Sequence, residues 1–113
     1  MAKLNEETKA TVLNLVGELL DWIDESKTVE MAIFETYGEN DATITVLDEL
    51  QNYIESLINS YSRFYTLLLR ITEAQPHASF AMINLLTQTI EDSRVNIENI
   101  QQIVKNARRN FDL

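Results

Sequence analysis

The chain has no cysteine, one proline, two glycines and one histidine in 113 residues. Without cysteine there is no disulfide, no zinc–thiolate site and no thiol nucleophile, and nothing marks an oxidising compartment. So little proline and glycine leaves scant material for turns. A chain otherwise rich in Leu, Ile, Glu, Asn and Thr therefore reads as a few long helices with short connections. A lone histidine cannot supply the paired Glu-x-x-His motifs of carboxylate di-iron bundles, and Gly17 and Gly38 stand too far apart to form a glycine-rich phosphate loop. Long apolar runs are missing as well. The longest, near Tyr65–Leu69, falls far short of a membrane span, and the start Met1-Ala2-Lys3-Leu4-Asn5-Glu6-Glu7 lacks the basic and apolar regions of a signal peptide. A soluble cytoplasmic protein is the expectation.

Basic residues are also scarce, with 9 Lys and Arg against 18 Asp and Glu, for a formal charge of −9. Such a balance disfavours attachment to nucleic acid or an anionic membrane. The acid is concentrated: residues 1–60 hold 13 acidic and 3 basic side chains, while residues 61–113 hold 5 and 6. Solvated helix faces explain this, and a docking surface for a basic protein is the functional alternative.

What is present is a period. From Asp41 to Glu73 the residues Leu47, Leu50, Ile54, Leu57, Tyr61, Phe64, Leu68 and Ile71 step alternately by three and four, the a/d pattern of a heptad helix. Val46, Ile58, Tyr65 and Leu67 widen that stripe, so this central helix is expected to meet more than one neighbour. The β-branched run Thr43–Val46 would suit a strand but has no second strand to pair with, and the heptads that follow outweigh it.

Before it, Val12, Leu13, Leu15, Val16, Leu19, Leu20, Trp22 and Ile23 return to one broad face, with Asn14, Glu18, Asp21, Asp24 and Glu25 opposite. Asn5 suits the N-cap, with Glu6 and Glu7 complementing the helix dipole, and Gly38 suits the C′ position that ends the helix. Thr28 offers a break that would make four helices of three. Gly17 fits either a close helix–helix approach or a tolerated surface position. Asn40 or Asp41 is the expected cap of the central helix, with Thr45 and Asp48 as a capping box one turn later. Pro76 ends the central helix and opens the third, in which Ile83, Leu86, Ile90, Ser93, Ile97, Ile100, Val104, Ala107 and Phe111 keep the heptad spacing. Lys105, Arg108 and Arg109 suit its C-terminal dipole, and Asp112-Leu113 is expected to fray. Helices of about 5–37, 41–74 and 76–110, each roughly 50 Å long at 1.5 Å per residue, predict one all-α domain over residues 1–113. Its expected architecture is an up-down-up antiparallel three-helix bundle with coiled-coil-like packing.

Little chemistry emerges. His77, beside Pro76, lacks an interpretable nucleophile or acid partner beyond nearby Ser79. Glu18, Asp21, Asp24 and Glu25 form an acidic face without the histidine a transition-metal site favours. The loop Gly38–Thr43 has oxygen ligands but not the register of a calcium loop. Lys105, Arg108 and Arg109 do not make a basic stripe. No cofactor, metal, nucleic acid or membrane is expected, nor an enzyme.

Tyr61 and Phe64 fall in the heptad register and are expected in the core, whereas Tyr53 and Tyr65 flank it. Tyr53, Ile58 and Tyr65, with Met82, Leu85 and Ile103 beside the seam of the third helix, form the candidate interaction surface. The predicted function is a non-enzymatic protein-interaction module, a small acidic regulator or adaptor, with homodimerisation through the second and third helices. The alternative is a carrier of a small ligand or cofactor, with an apolar cavity near Trp22, Tyr61 and Phe64.

Overall fold

The first helix opens where the sequence offers an N-cap. Asn5 Oδ1 accepts the backbone N–H of Thr8 at 2.7 Å, and Glu6 and Glu7 fill the first turn, where their charge meets the helix's positive end. In the computed structural model, which describes residues 4–74 and 78–113, this helix, α1, runs unbroken over Glu6–Tyr37. Thr28 does not cap a second helix; its hydroxyl donates back to the Asp24 carbonyl at 2.9 Å, a bond compatible with helix continuing through it. Gly38 ends α1 at φ 74°, a backbone region that glycine enters without steric cost.

Asn40 and Thr43 then tie the turn into the next helix. The Asn40 side chain accepts from Ala42 N–H at 2.9 Å and donates to the Tyr37 carbonyl at 2.7 Å, while the fully buried Thr43 hydroxyl donates to the Gly38 carbonyl at 2.7 Å. Helix α2, Ile44–Glu73, takes Thr43 as its cap residue. It begins slightly later than the expected Asn40 or Asp41, because Asn40 is used within the turn. The β-branched run enters helix, as the heptads required.

Helix α3, Phe80–Asn110, starts later than Pro76 predicts, for Ser79 is its N-cap and accepts from Met82 N–H at 3.2 Å. Pro76 and His77 lie outside the described residues. At the other end the tail is tied down, in contrast to the fraying expected of it. Asp112 adopts φ 59° and Leu113 N–H returns to the Arg108 carbonyl at 2.9 Å, the six-to-one bond of a Schellman turn. Tyr37 reinforces it: its hydroxyl donates to the Phe111 carbonyl at 2.8 Å, and the two rings stand 5.3 Å apart.

Each helix packs on both others in a three-helix bundle 54 Å long, with α1 and α2 antiparallel across the short turn. The core is the column Val12, Leu19, Ile33, Leu50, Ile54, Leu57, Phe64, Ile71, Leu86 and Ile100, all essentially without solvent contact. Two expected core positions shift. Ser60 and Leu67 are buried, whereas Tyr61 and Leu68, the residues next to them in the heptad register, are half-buried. A straight helix of 3.6 residues per turn drifts about 20° per heptad from a 3.5-residue repeat. On a fixed direction that drift would bring Ile58 and Tyr65 inward; the core side of α2 instead turns the other way in its second half, onto Ser60 and Leu67, and leaves Tyr61 and Leu68 toward the edge.

Two glycine and serine positions resolve cleanly. A Cβ on Gly17 would meet nothing within 4 Å, so no helix closes on it and the surface alternative holds. Ser26 is completely buried and its hydroxyl has no hydrogen-bond partner.

Gly17→Ala is expected to raise stability by about 1 kcal/mol through helix propensity alone, measured by urea unfolding; a loss would mean that space there is not open. Ser26→Ala is expected to raise it by about 1 kcal/mol, because it removes a desolvated, unpaired hydroxyl. A destabilised Ser26→Ala would show that the hydroxyl has a partner. Phe64→Ala, at the centre of the core, is expected to cost roughly 3–5 kcal/mol.

Candidate functional site

A helix can turn only part of its circumference to its neighbours, and the broad apolar face of α1 exceeds that arc. Val12, Leu15 and Leu19 are buried and Val16, Trp22 and Ile23 half-buried, while Leu13 and Leu20 keep 54% and 48% of their surface in solvent. The sequence placed all eight on one face; the structure leaves two of them out. Across from Leu13 and Val16 stand Tyr61, Tyr65 and Leu68 of α2, and these five side chains line an apolar cleft of about 150 Å³.

The antiparallel direction extends this cleft into a seam. Leu20 lies seven residues along α1 from Leu13, and Ile58 lies seven residues back along α2 from Tyr65, so each is displaced about 10 Å the same way at 1.5 Å per residue. Ile58 is 42% exposed and Tyr65 66%. Leu69, one turn beyond Tyr65, continues the wall at the other end and is also exposed. The floor is made by the half-buried Val16, Tyr61 and Leu68, all packed against the core.

The six candidate interaction residues do not come together. Ile58 and Tyr65 belong to this seam. Leu85 is exposed in a different groove, between α2 and α3, beside Arg63 and Arg70. Tyr53, Met82 and Ile103 are half-buried against the core; Ile103 also lines a cleft with Val46 and Phe111 near the start of α2. The half of the seam contributed by α1 was missed because Leu13 and Leu20 look like core residues in an amphipathic pattern. Their separation of seven on the edge of an over-wide stripe was the available signal.

The acidic candidates divide too. Glu18, Asp21 and Asp24 are exposed, and Glu25 turns toward α3, where it pairs with Arg108. Among the described residues no three His, Asp or Glu side chains gather closely enough to hold a metal ion, and no described helix is long and apolar enough to cross a membrane. Asp24 lies one turn after Leu20 and Glu55 one turn before Ile58, and neither has an ion-pair partner among the described residues. The seam therefore carries carboxylates at its Leu20–Ile58 end. At the Leu69 end Lys9, one turn before Leu13, supplies a positive charge.

Compared with protein-family models, with curated proteins and with solved structures, the chain matches none.

Side chains on the rim of the seam hold little of the fold together. Tyr65→Ser is expected to change stability by no more than about 0.5 kcal/mol, whereas Leu57→Ser, within the core, is expected to cost more than about 3 kcal/mol. Equal losses at the two positions in urea titrations would mean that Tyr65 is packed.

Proposed function

We propose that this chain is a non-enzymatic protein-interaction module, a small acidic regulator or adaptor of the cytoplasm, which engages another protein through the apolar seam between α1 and α2. The observation that carries the reading is the alignment of Leu13, Leu20, Ile58, Tyr65 and Leu69, all exposed, along the α1–α2 seam, whose cleft Leu13 and Tyr65 line. Single apolar residues scattered over a surface are ordinary, but a contiguous patch rimmed by polar groups is the pattern of a contact site. Tyrosine at its centre adds a large, rigid contact with a hydroxyl that tolerates water.

The competing carrier reading asks for a pocket near Trp22, Tyr61 and Phe64. Phe64 is fully buried, and the apolar cleft beside Tyr61 holds about 150 Å³, well below the roughly 300–1,000 Å³ of small-molecule sites. Size favours a protein surface over a ligand cavity. Homodimerisation is the version of the interaction reading in which the partner is a second copy; light scattering at roughly tens of micromolar tests it, and a strict monomer removes it.

Capture from the native host tests the whole reading. The wild-type chain is expected to retain a defined partner that the Leu13→Ser/Tyr65→Ser double variant, still folded, loses. Retention of the same partner by the variant, or a small molecule co-purifying with the wild type and absent from the variant, would overturn it.

A further inference from the structure

The rim of the seam adds a charge constraint to its shape. Asp24 on α1 and Glu55 on α2 border one end without ion-pair partners among the described residues, and Glu6 lies beyond Lys9 at the other. Among the described residues Lys9 is the base there without an ion-pair partner, since Lys27 contacts Glu30 at 3.4 Å. The arginines of α2 are turned elsewhere: Arg63 and Arg70 line the grooves facing α3. Among the described residues no base pairs with these carboxylates, so an occupant that brings positive charge is favoured.

Resting on the interaction reading above, we propose that the occupant is a basic amphipathic helix of a partner protein, laid along the α1–α2 seam as a fourth helix. Its apolar side chains, spaced i, i+3, i+4 and i+7, seat on Val16, Tyr61 and Leu68 between walls formed by Leu13, Leu20, Ile58 and Tyr65. Lysine or arginine on its polar edges meets Asp24 and Glu55. A second copy of the chain answers this charge poorly. It carries the same net −9 and, among the described residues of its own seam, brings Lys9 as the unpaired base, so like charges oppose the docking. The acidic end also orients the incoming helix, whose basic residues belong mainly beside Leu20 and Ile58.

A synthetic Leu/Lys peptide of about 18 residues with this apolar spacing, its Leu/Glu counterpart and a scrambled Leu/Lys peptide of equal composition test the proposal by fluorescence anisotropy. The amphipathic Leu/Lys peptide is expected to bind the wild-type chain at least roughly tenfold more tightly than either other peptide, and to weaken as salt rises. Leu13→Ser/Tyr65→Ser is expected to weaken it about tenfold or more, and Asp24→Asn/Glu55→Gln to weaken it and flatten its salt dependence.

Equal binding of the Leu/Glu peptide, lost in the Leu13→Ser/Tyr65→Ser variant, would overturn the basic partner and keep the docking face. Equal binding of the scrambled peptide, unaffected by that variant, would reduce the effect to bulk charge and overturn both. A concentration-dependent dimer that the same variant abolishes would assign the seam to a second copy and overturn the basic helix. Failure of every peptide to bind a monomeric chain would overturn the docking face itself.

Discussion

Burial of one aliphatic column shared by three helices is the interaction on which everything else in this molecule depends. Leu19, Ile33, Leu50, Ile54, Leu57, Phe64, Ile71, Leu86 and Ile100 are all at most 2% exposed, and each fully buried side chain of this kind is worth about 1.5–3 kcal/mol. The local devices are smaller. An N-cap such as Asn5 or Ser79 contributes about 1 kcal/mol, and a half-exposed pair such as Glu25–Arg108 less than about 1 kcal/mol. These magnitudes explain why the column overrides local preference, drawing the β-branched Thr43–Val46 toward helix and tolerating both a mid-helix Gly17 and an unpaired Ser26 hydroxyl.

The same column creates the surface. Each helix meets two others, and together they cover an arc set by the bundle's geometry rather than by how much apolar side chain the helix carries. In α1 the stripe is wider than that arc, and its edge at Leu13 and Leu20 spills into solvent beside the exposed edge of α2 at Ile58 and Tyr65. Because the two helices run antiparallel, the two overflowing edges reinforce one another along one seam. The charge segregation visible in the sequence adds to this, since the acid-rich first half supplies α1 and most of the adjoining part of α2, while the arginines of α2 sit toward α3.

The helices were legible in the sequence because periodicity reports the side of a helix that must be covered, and three such stripes with one turn at Gly38 and one near Pro76 leave few ways to fold. Asn5 and Gly38 marked the ends of α1 because caps act through neighbouring backbone. The start of α3 was less legible: Pro76 and Ser79 both suit a helix start, and the described backbone uses Ser79. Whether Tyr61 or Ser60 points inward was not legible, for the pattern gives the stripe of α2 but not the side toward which it turns, and only the packing of the third helix decides that. The seam was half legible. Ile58 and Tyr65 stood outside the a/d register and could be read as surface, whereas Leu13 and Leu20 are indistinguishable from core residues until the packing of α1 against α2 is known. Tyr53, Met82 and Ile103 were read as surface by the same logic, but lie close enough to the seams between helices to be half covered.

An open apolar groove between α1 and α2 is tested most directly by methyl resonances in the presence of a soluble paramagnetic agent. The methyls of Leu13, Leu20 and Ile58 should lose intensity, while those of Leu19, Leu50, Ile54 and Leu57 should persist. Protection of Leu13, Leu20 and Ile58 to the level of the core methyls, in a chain shown to be monomeric, would contradict it.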